Sequence, residues 1–237
     1  MSATTRAKAV SCPASNPEFR VSMQLHLIRH GETAWSLSGR HTGQTEVPLT
    51  EQGEQDSHRL LERFRGVDFD HVLTSPRQRA RRTCELAGPG ALAQIEPDLA
   101  EWDYGDYEGL TTAEIYEQRP DWNLFRDGCP GGESPAQVAA RADQLIARLR
   151  LLEGNVALFT HGHFGRVLGV RWIGLPALRA QYFLLSTASL SMLGYEHDRI
   201  DQPAVALWND VSHKISITPS PALAAFGIEH PPTTPDS

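Results

Sequence analysis

Cysteine is scarce in this 237-residue chain, which has only Cys12, Cys84 and Cys129. They are far apart, odd in number and without a C-x-x-C spacing. That pattern argues against a disulfide framework and a zinc site, and predicts a reducing, cytoplasmic setting. Long apolar runs are missing too. No stretch approaches the ~18 to 20 apolar residues of a membrane span, and the opening MSATTRAKAVSCPASNPEFRV lacks the apolar centre of a signal peptide. Positive charge is in deficit, with 22 lysines and arginines against 29 aspartates and glutamates and a formal net charge of -7. Such a chain has no global basic field for a nucleic-acid backbone or an anionic membrane. An anionic ligand must then be held by a local cluster of cations.

Residues 1–22 are small, polar and aperiodic, the composition of a disordered tail, and residues 218–237 are proline-rich and read as a loose terminus. One folded domain is expected over 23–217. Within it strands and helices alternate. Gln24 to Arg29, Phe69 to Leu73 and Asn155 to Thr160 are continuous apolar strands, and Ser189 to Tyr195 and Ala204 to Trp208 form two more around the turn His197-Asp198-Arg199. Thr50 caps a helix running to about Arg65. Ser75-Pro76 reads as an N-cap and first helical residue, opening a helix to about Ala87. Ser134 with Gln137 is a capping box for a helix to about Leu152, and Phe164 to Ile173 is helical. The pattern predicts a three-layer α/β sandwich: a mainly parallel central sheet with helices on both faces.

In such sheets ligands bind beyond the carboxyl ends of the strands. There the chain carries Arg29-His30-Gly31, then Thr74-Ser75-Pro76-Arg77-Gln78-Arg79, then Thr160-His161-Gly162-His163. Gly31 and Gly162 would let the backbone approach a ligand or take φ > 0. Helix N-termini at Ser75 and near His163 would add positive dipole ends. Two arginine forks, two histidines and these termini suit a phosphoryl group without metal or cofactor, because its transfer needs mainly positioning and charge stabilisation. A neutral imidazole can attack phosphorus and divide hydrolysis into two displacements. His161-Gly162-His163 could instead be a metal pair, but no nearby carboxylate completes a ligand set. A proton for the leaving alkoxide could come from any of four carboxylates in LAEWDYGDYEG, Glu101, Asp103, Asp106 or Glu108, lying among aromatics that would desolvate a general acid.

The stretches LIRHGETAW, LTSPRQRARRT, LAEWDYGDYEGLT and THGHFGRVL, in order over most of residues 24–210, resemble the motifs of the histidine phosphatase, or phosphoglycerate mutase-like, superfamily. The resemblance implies His30 as the phosphorylated nucleophile, with Arg29, Arg79 and His161 completing the phosphate pocket. It also selects Glu101 as proton donor. Within the superfamily, HTGQTEVPLT, EWDYGDYEGL and WNLFRDGCPGGES look most similar to a branch of bacterial acid phosphatases and fungal sedoheptulose bisphosphatases. That likeness implies substrate contacts from His41, Thr42, Ser75, Tyr104 and Arg166, with Gly43 and Gly162 expected beside them. The resemblance also implies an insertion from about Thr111 to Pro130 that helps roof the site, from which Arg126 either reaches substrate or pairs with Asp127 or Asp121. The implied activity is hydrolysis of small phosphate monoesters such as sugar phosphates or bisphosphates. True mutases carry arginine where this chain has Trp102, lysine where it has Thr112 and asparagine where it has Ser36, which speaks against mutase activity. A homodimer is compatible with all of this, and a non-catalytic phosphate-sensing protein is the reading from another class.

Overall fold

The computed structural model describes residues 23–214, so the readings made for the two terminal tails lie outside the described residues. Six strands form one sheet: β1 (Gln24–Arg29), β2 (His71–Thr74), β3 (Ala93–Ile95), β4 (Asn155–Thr160), β5 (Leu190–Tyr195) and β6 (Pro203–Asp210), in the order β3-β2-β4-β1-β5-β6. β1 runs parallel to β4 from Gln24↔Asn155 to Arg29↔Thr160, and β2 is parallel to both β3 and β4. β5 and β6 close the other edge antiparallel. The three strands whose ends carry the singled-out residues are therefore adjacent in the centre.

Both faces of this sheet are buried, which is why its central strands read as unbroken apolar runs. Alternation along each strand sends residues to opposite sides. Leu25 and Leu27 of β1 and Val156 and Leu158 of β4 pack with α6 (Pro135–Leu149) and α7 (Gly162–Trp172), through Leu145, Phe164 and Leu168. Ile28, Ala157 and Phe159 face α2 (Glu51–Arg63) and α3 (Gln78–Leu86), through Leu60 and Cys84. Removing such a fully buried side chain as Phe159 would cost ~3 to 5 kcal/mol in lost burial and cavity formation.

Thr50 caps α2 by accepting from the Gly53 amide, and Ser134 with Gln137 forms a capping box on α6. The Ser75-Pro76 start signal is corrected. α3 begins at Gln78, because Ser75 Oγ is engaged by His161 Nε2 at 2.7 Å and Glu46 accepts from the Gln78 amide at 2.9 Å, so another segment supplies the cap. β2 starts at His71 rather than Phe69, whose ring packs 5.1 Å from those of Phe64 and His26. α7 starts two residues early, at Gly162, and β6 extends to Asp210. The short α1 (Ala34–Ser38) and β3 were not anticipated, nor were α4 (Thr112–Gln118) and α5 (Leu124–Asp127) within the insertion. Trp122 and Phe125 carry the insertion onto the site, their rings 5.6 Å from those of His41 and His163.

Candidate active site

β1 delivers Arg29 and His30 to the sheet's carboxyl end, and the His30 amide extends the ladder by donating to the Thr160 carbonyl at 2.9 Å. His30 Nδ1 lies 2.7 Å from the Gly31 carbonyl. A carbonyl can only accept, so Nδ1 carries the proton and the Nε2 lone pair is left for the cavity. Burial, then the charges of Arg79 and Arg29, hold this imidazole well below the usual histidine pKa, so it is neutral at physiological pH.

Gly31 does not offer its amide to a ligand, as it donates to Thr83 Oγ1 at 2.9 Å. It is required for packing instead: a Cβ there would stand 2.5 Å from the Gly53 carbonyl oxygen. Neither Gly31 nor Gly162 has positive φ. Gly162 makes room for Arg29, whose guanidinium carbon would lie 3.2 Å from a Cβ at that position. Arg29 Nη1 donates to the Leu185 carbonyl, while its buried Nε has no hydrogen-bond partner among the described residues.

His161 is fixed at both nitrogens. Arg79 Nε donates to Nδ1 at 3.2 Å, which makes Nε2 the protonated nitrogen, donating to Ser75 Oγ. Its ring centroid is 5.2 Å from that of His30, and burial followed by the charge of Arg79 keeps its pKa well below the usual value. Arg79 also donates to the carbonyls of Thr45, Thr42 and Gly43 at 3.0, 2.9 and 3.0 Å. This pair stands behind the nucleophile and folds the 42–45 loop over it.

Glu101 accepts from the amides of Trp102 at 2.9 Å, Phe164 at 2.7 Å and His163 at 3.0 Å. The N-terminus of α7 thus holds this carboxylate rather than offering its amides to a ligand.

A cavity of about 260 Å³ opens over these groups, lined by Arg29, His30, His41, Thr42, Glu101, Tyr104, Gly162 and Arg166. It also takes in Arg40, His163, Ser36, Gly39, Thr112 and Leu185, which the sequence reading had not assigned to the site. His163 was visible as the third member of His161-Gly162-His163, and Arg40 as the neighbour of His41. Among the lining residues three arginines face one carboxylate, in a protein of formal net charge -7. Arg166 is held by the Ala180 and Gln181 carbonyls and lies 4.7 Å over the Phe125 ring; burial lowers its pKa to about 10, so it stays cationic. His41 Nδ1 donates to the Leu110 carbonyl at 2.8 Å. His163 shares a 2.6 Å hydrogen bond with the Tyr104 hydroxyl, and its ring stacks on His41 at 5.8 Å.

Arg79, His161, Ser75 and Gly43 do not line the cavity. The Gly43 amide donates to both oxygens of Glu108, at 3.0 and 2.9 Å. Arg126 takes the second of its two anticipated arrangements, pairing with Asp127 at 2.8 Å and donating to the Asp121 carbonyl, away from the cavity. Among the described residues no group of three histidine, cysteine, aspartate or glutamate side chains is placed to hold a metal ion.

Residues 25–211 match the model of the histidine phosphatase superfamily, branch 1. An acid phosphatase of Mycobacterium tuberculosis is 46% identical over 178 residues, 73% of this chain and 87% of that protein. The sedoheptulose 1,7-bisphosphatase of Saccharomyces cerevisiae is 34% identical over 245 residues, 76% of this chain and 90% of its own length. A solved structure of a Mycobacterium tuberculosis open reading frame superposes with a TM-score of 0.74 at 42% identity, covering 79% of this chain and 97% of the other.

Proposed function

The chain belongs to the histidine phosphatase superfamily, and from that premise we propose that it hydrolyses small phosphate monoesters, sugar phosphates or bisphosphates among them, through a phosphohistidine at His30. The observation that carries this reading is a neutral imidazole with its Nε2 lone pair on a cavity where, among the described residues, carbonyls rather than carboxylates accept from Arg29 and Arg166. Arg29 takes the non-bridging oxygens and Nε2 attacks phosphorus as the ester P–O bond breaks. With a proton on Oε2, which accepts a single amide, that of His163, Glu101 protonates the departing alkoxide; the resulting carboxylate then takes a proton from the water that attacks the phosphohistidine, releasing phosphate and restoring Nε2. Arg166, Arg40 and the polar wall of His41, Thr42 and Tyr104 hold the remainder of the substrate. Charge neutralisation rests on arginines, so turnover is expected to survive a metal chelator.

Ser36 and Thr112, both short and uncharged, line the cavity where mutases are expected to carry larger polar or cationic groups. Incubation with 3-phosphoglycerate and a bisphosphoglycerate primer, against a panel of sugar phosphates, is the test. Phosphate release from the panel with little 2-phosphoglycerate is expected. Rapid 2-phosphoglycerate formation without phosphate release would overturn the hydrolase reading.

A further inference from the structure

β6 loses its register as it passes the site. Leu190 faces Asp210 and Met192 faces Leu207, which leaves Ser191 opposite both Trp208 and Asn209. An extra residue of this kind re-aims side chains that would otherwise alternate between faces. Asn209 adopts φ 56°, in the left-handed region that asparagine tolerates better than most residues, and its amide is held by Ser191 Oγ at 3.0 Å. Both bulge side chains then meet one loop, residues 184–189. Trp208 Nε1 donates to the Leu184 carbonyl at 2.7 Å, and Asn209 Oδ1 accepts from the Ser186 amide at 2.6 Å. Lys214 adds a third tie, donating to the Thr187 carbonyl at 3.1 Å while pairing with Asp56 of α2 at 3.1 Å.

The same loop holds the reacting residues. Its Leu185 carbonyl accepts from Arg29 Nη1, its Ala188 amide donates to the His30 carbonyl at 3.0 Å, and its Ser189 carbonyl accepts from the Arg29 amide at 3.3 Å. Ala188 is buried with φ 50°, a strained conformation for alanine that persists only where the surroundings over-determine it. Among the described residues Arg29 Nε has no hydrogen-bond partner, so the Leu185 carbonyl is the contact that orients the guanidinium.

We propose that the bulge at Trp208–Asn209 sets the geometry of Arg29 and His30, with Asn209 as the positioning residue. Its acceptor fixes Ser186, and Ser186 fixes the Leu185 carbonyl and Ala188 amide on either side of the site. This inference rests on the phosphohistidine reading, and the experiment separates the two. Asn209→Gly allows the left-handed backbone and removes the side chain with its acceptor, whereas Asn209→Asp keeps an acceptor on a residue that also tolerates that backbone. Single-turnover phosphoenzyme formation from p-nitrophenyl phosphate is measured for each, with melting curves alongside and His30→Ala as reference. The glycine variant is expected to phosphorylate roughly ten- to a hundredfold more slowly, the scale of a misplaced reacting group. The aspartate variant is expected to restore the rate. A glycine variant that melts earlier but phosphorylates at the wild-type rate while folded overturns the inference, and so does an aspartate variant as slow as the glycine one. Wild-type turnover by His30→Ala would instead defeat the phosphohistidine reading itself.

Discussion

His30 owes its proposed reactivity to the nitrogen that does not react. Tying Nδ1–H to the Gly31 carbonyl fixes the tautomer, and burial beside Arg79 and Arg29 keeps the ring unprotonated. Arg29 in turn depends on a missing side chain. A methyl group at position 162 would lie 3.2 Å from its guanidinium carbon, closer than the ~3.5 to 4.0 Å of ordinary carbon contacts. Gly162→Ala should therefore displace the guanidinium and raise KM for p-nitrophenyl phosphate about tenfold or more, the scale of one charged hydrogen bond. Alanine gains up to ~1 kcal/mol over glycine within a helix, which offsets part of the cost of displacing the buried guanidinium, so the melting temperature should change far less than KM. An unchanged KM would remove Arg29 from phosphate binding. Arg29, His30 and Glu101 could be read from the sequence because an apolar strand that stops at cations, and one acid in a recognisable motif, leave a local mark. The partners of Arg79 and His161 could not. Their contacts depend on how the 42–45 loop and Ser75 return to the sheet, which no local pattern encodes.

At the scale of elements, the strands and long helices were legible because burial on both faces of the sheet and side-chain caps write themselves into short stretches. β1 and β4 were read to the residue, and Thr50 and Ser134 marked their helices. The start of α3 was misread because its cap comes from Glu46, 32 residues away. Within the insertion α4 does carry a local mark, the capping box of Thr111 and Glu114, whereas α5 is a single turn placed by Phe125 against His163. The bulge in β6 was invisible for a related reason. Asn209 looks like an ordinary strand-end residue until its partner Ser186 is known.

Across the whole molecule, a chain with excess negative charge gathers cations at one sheet end, and buries histidines there and elsewhere that must remain neutral. His26, His30, His41, His161, His163 and His213 all have folded-state pKa values lowered chiefly by burial. Below about pH 6.5 the unfolded chain binds protons at these sites that the folded chain refuses. Stability is thus fully present above that pH and lost progressively as pH falls through the window beneath it. Melting curves from pH 7.5 to 5 should show a falling midpoint with proton uptake on unfolding. A flat midpoint over that range would contradict the buried neutral histidines. Rapid acid-free quenching of the enzyme during turnover of a radiolabelled phosphate ester, followed by peptide mapping, looks for the phosphohistidine itself. An acid-labile, base-stable phosphoryl group on His30, absent from His30→Ala, is expected; catalytic turnover with label on no histidine, or on another one, would rule out His30 as the nucleophile.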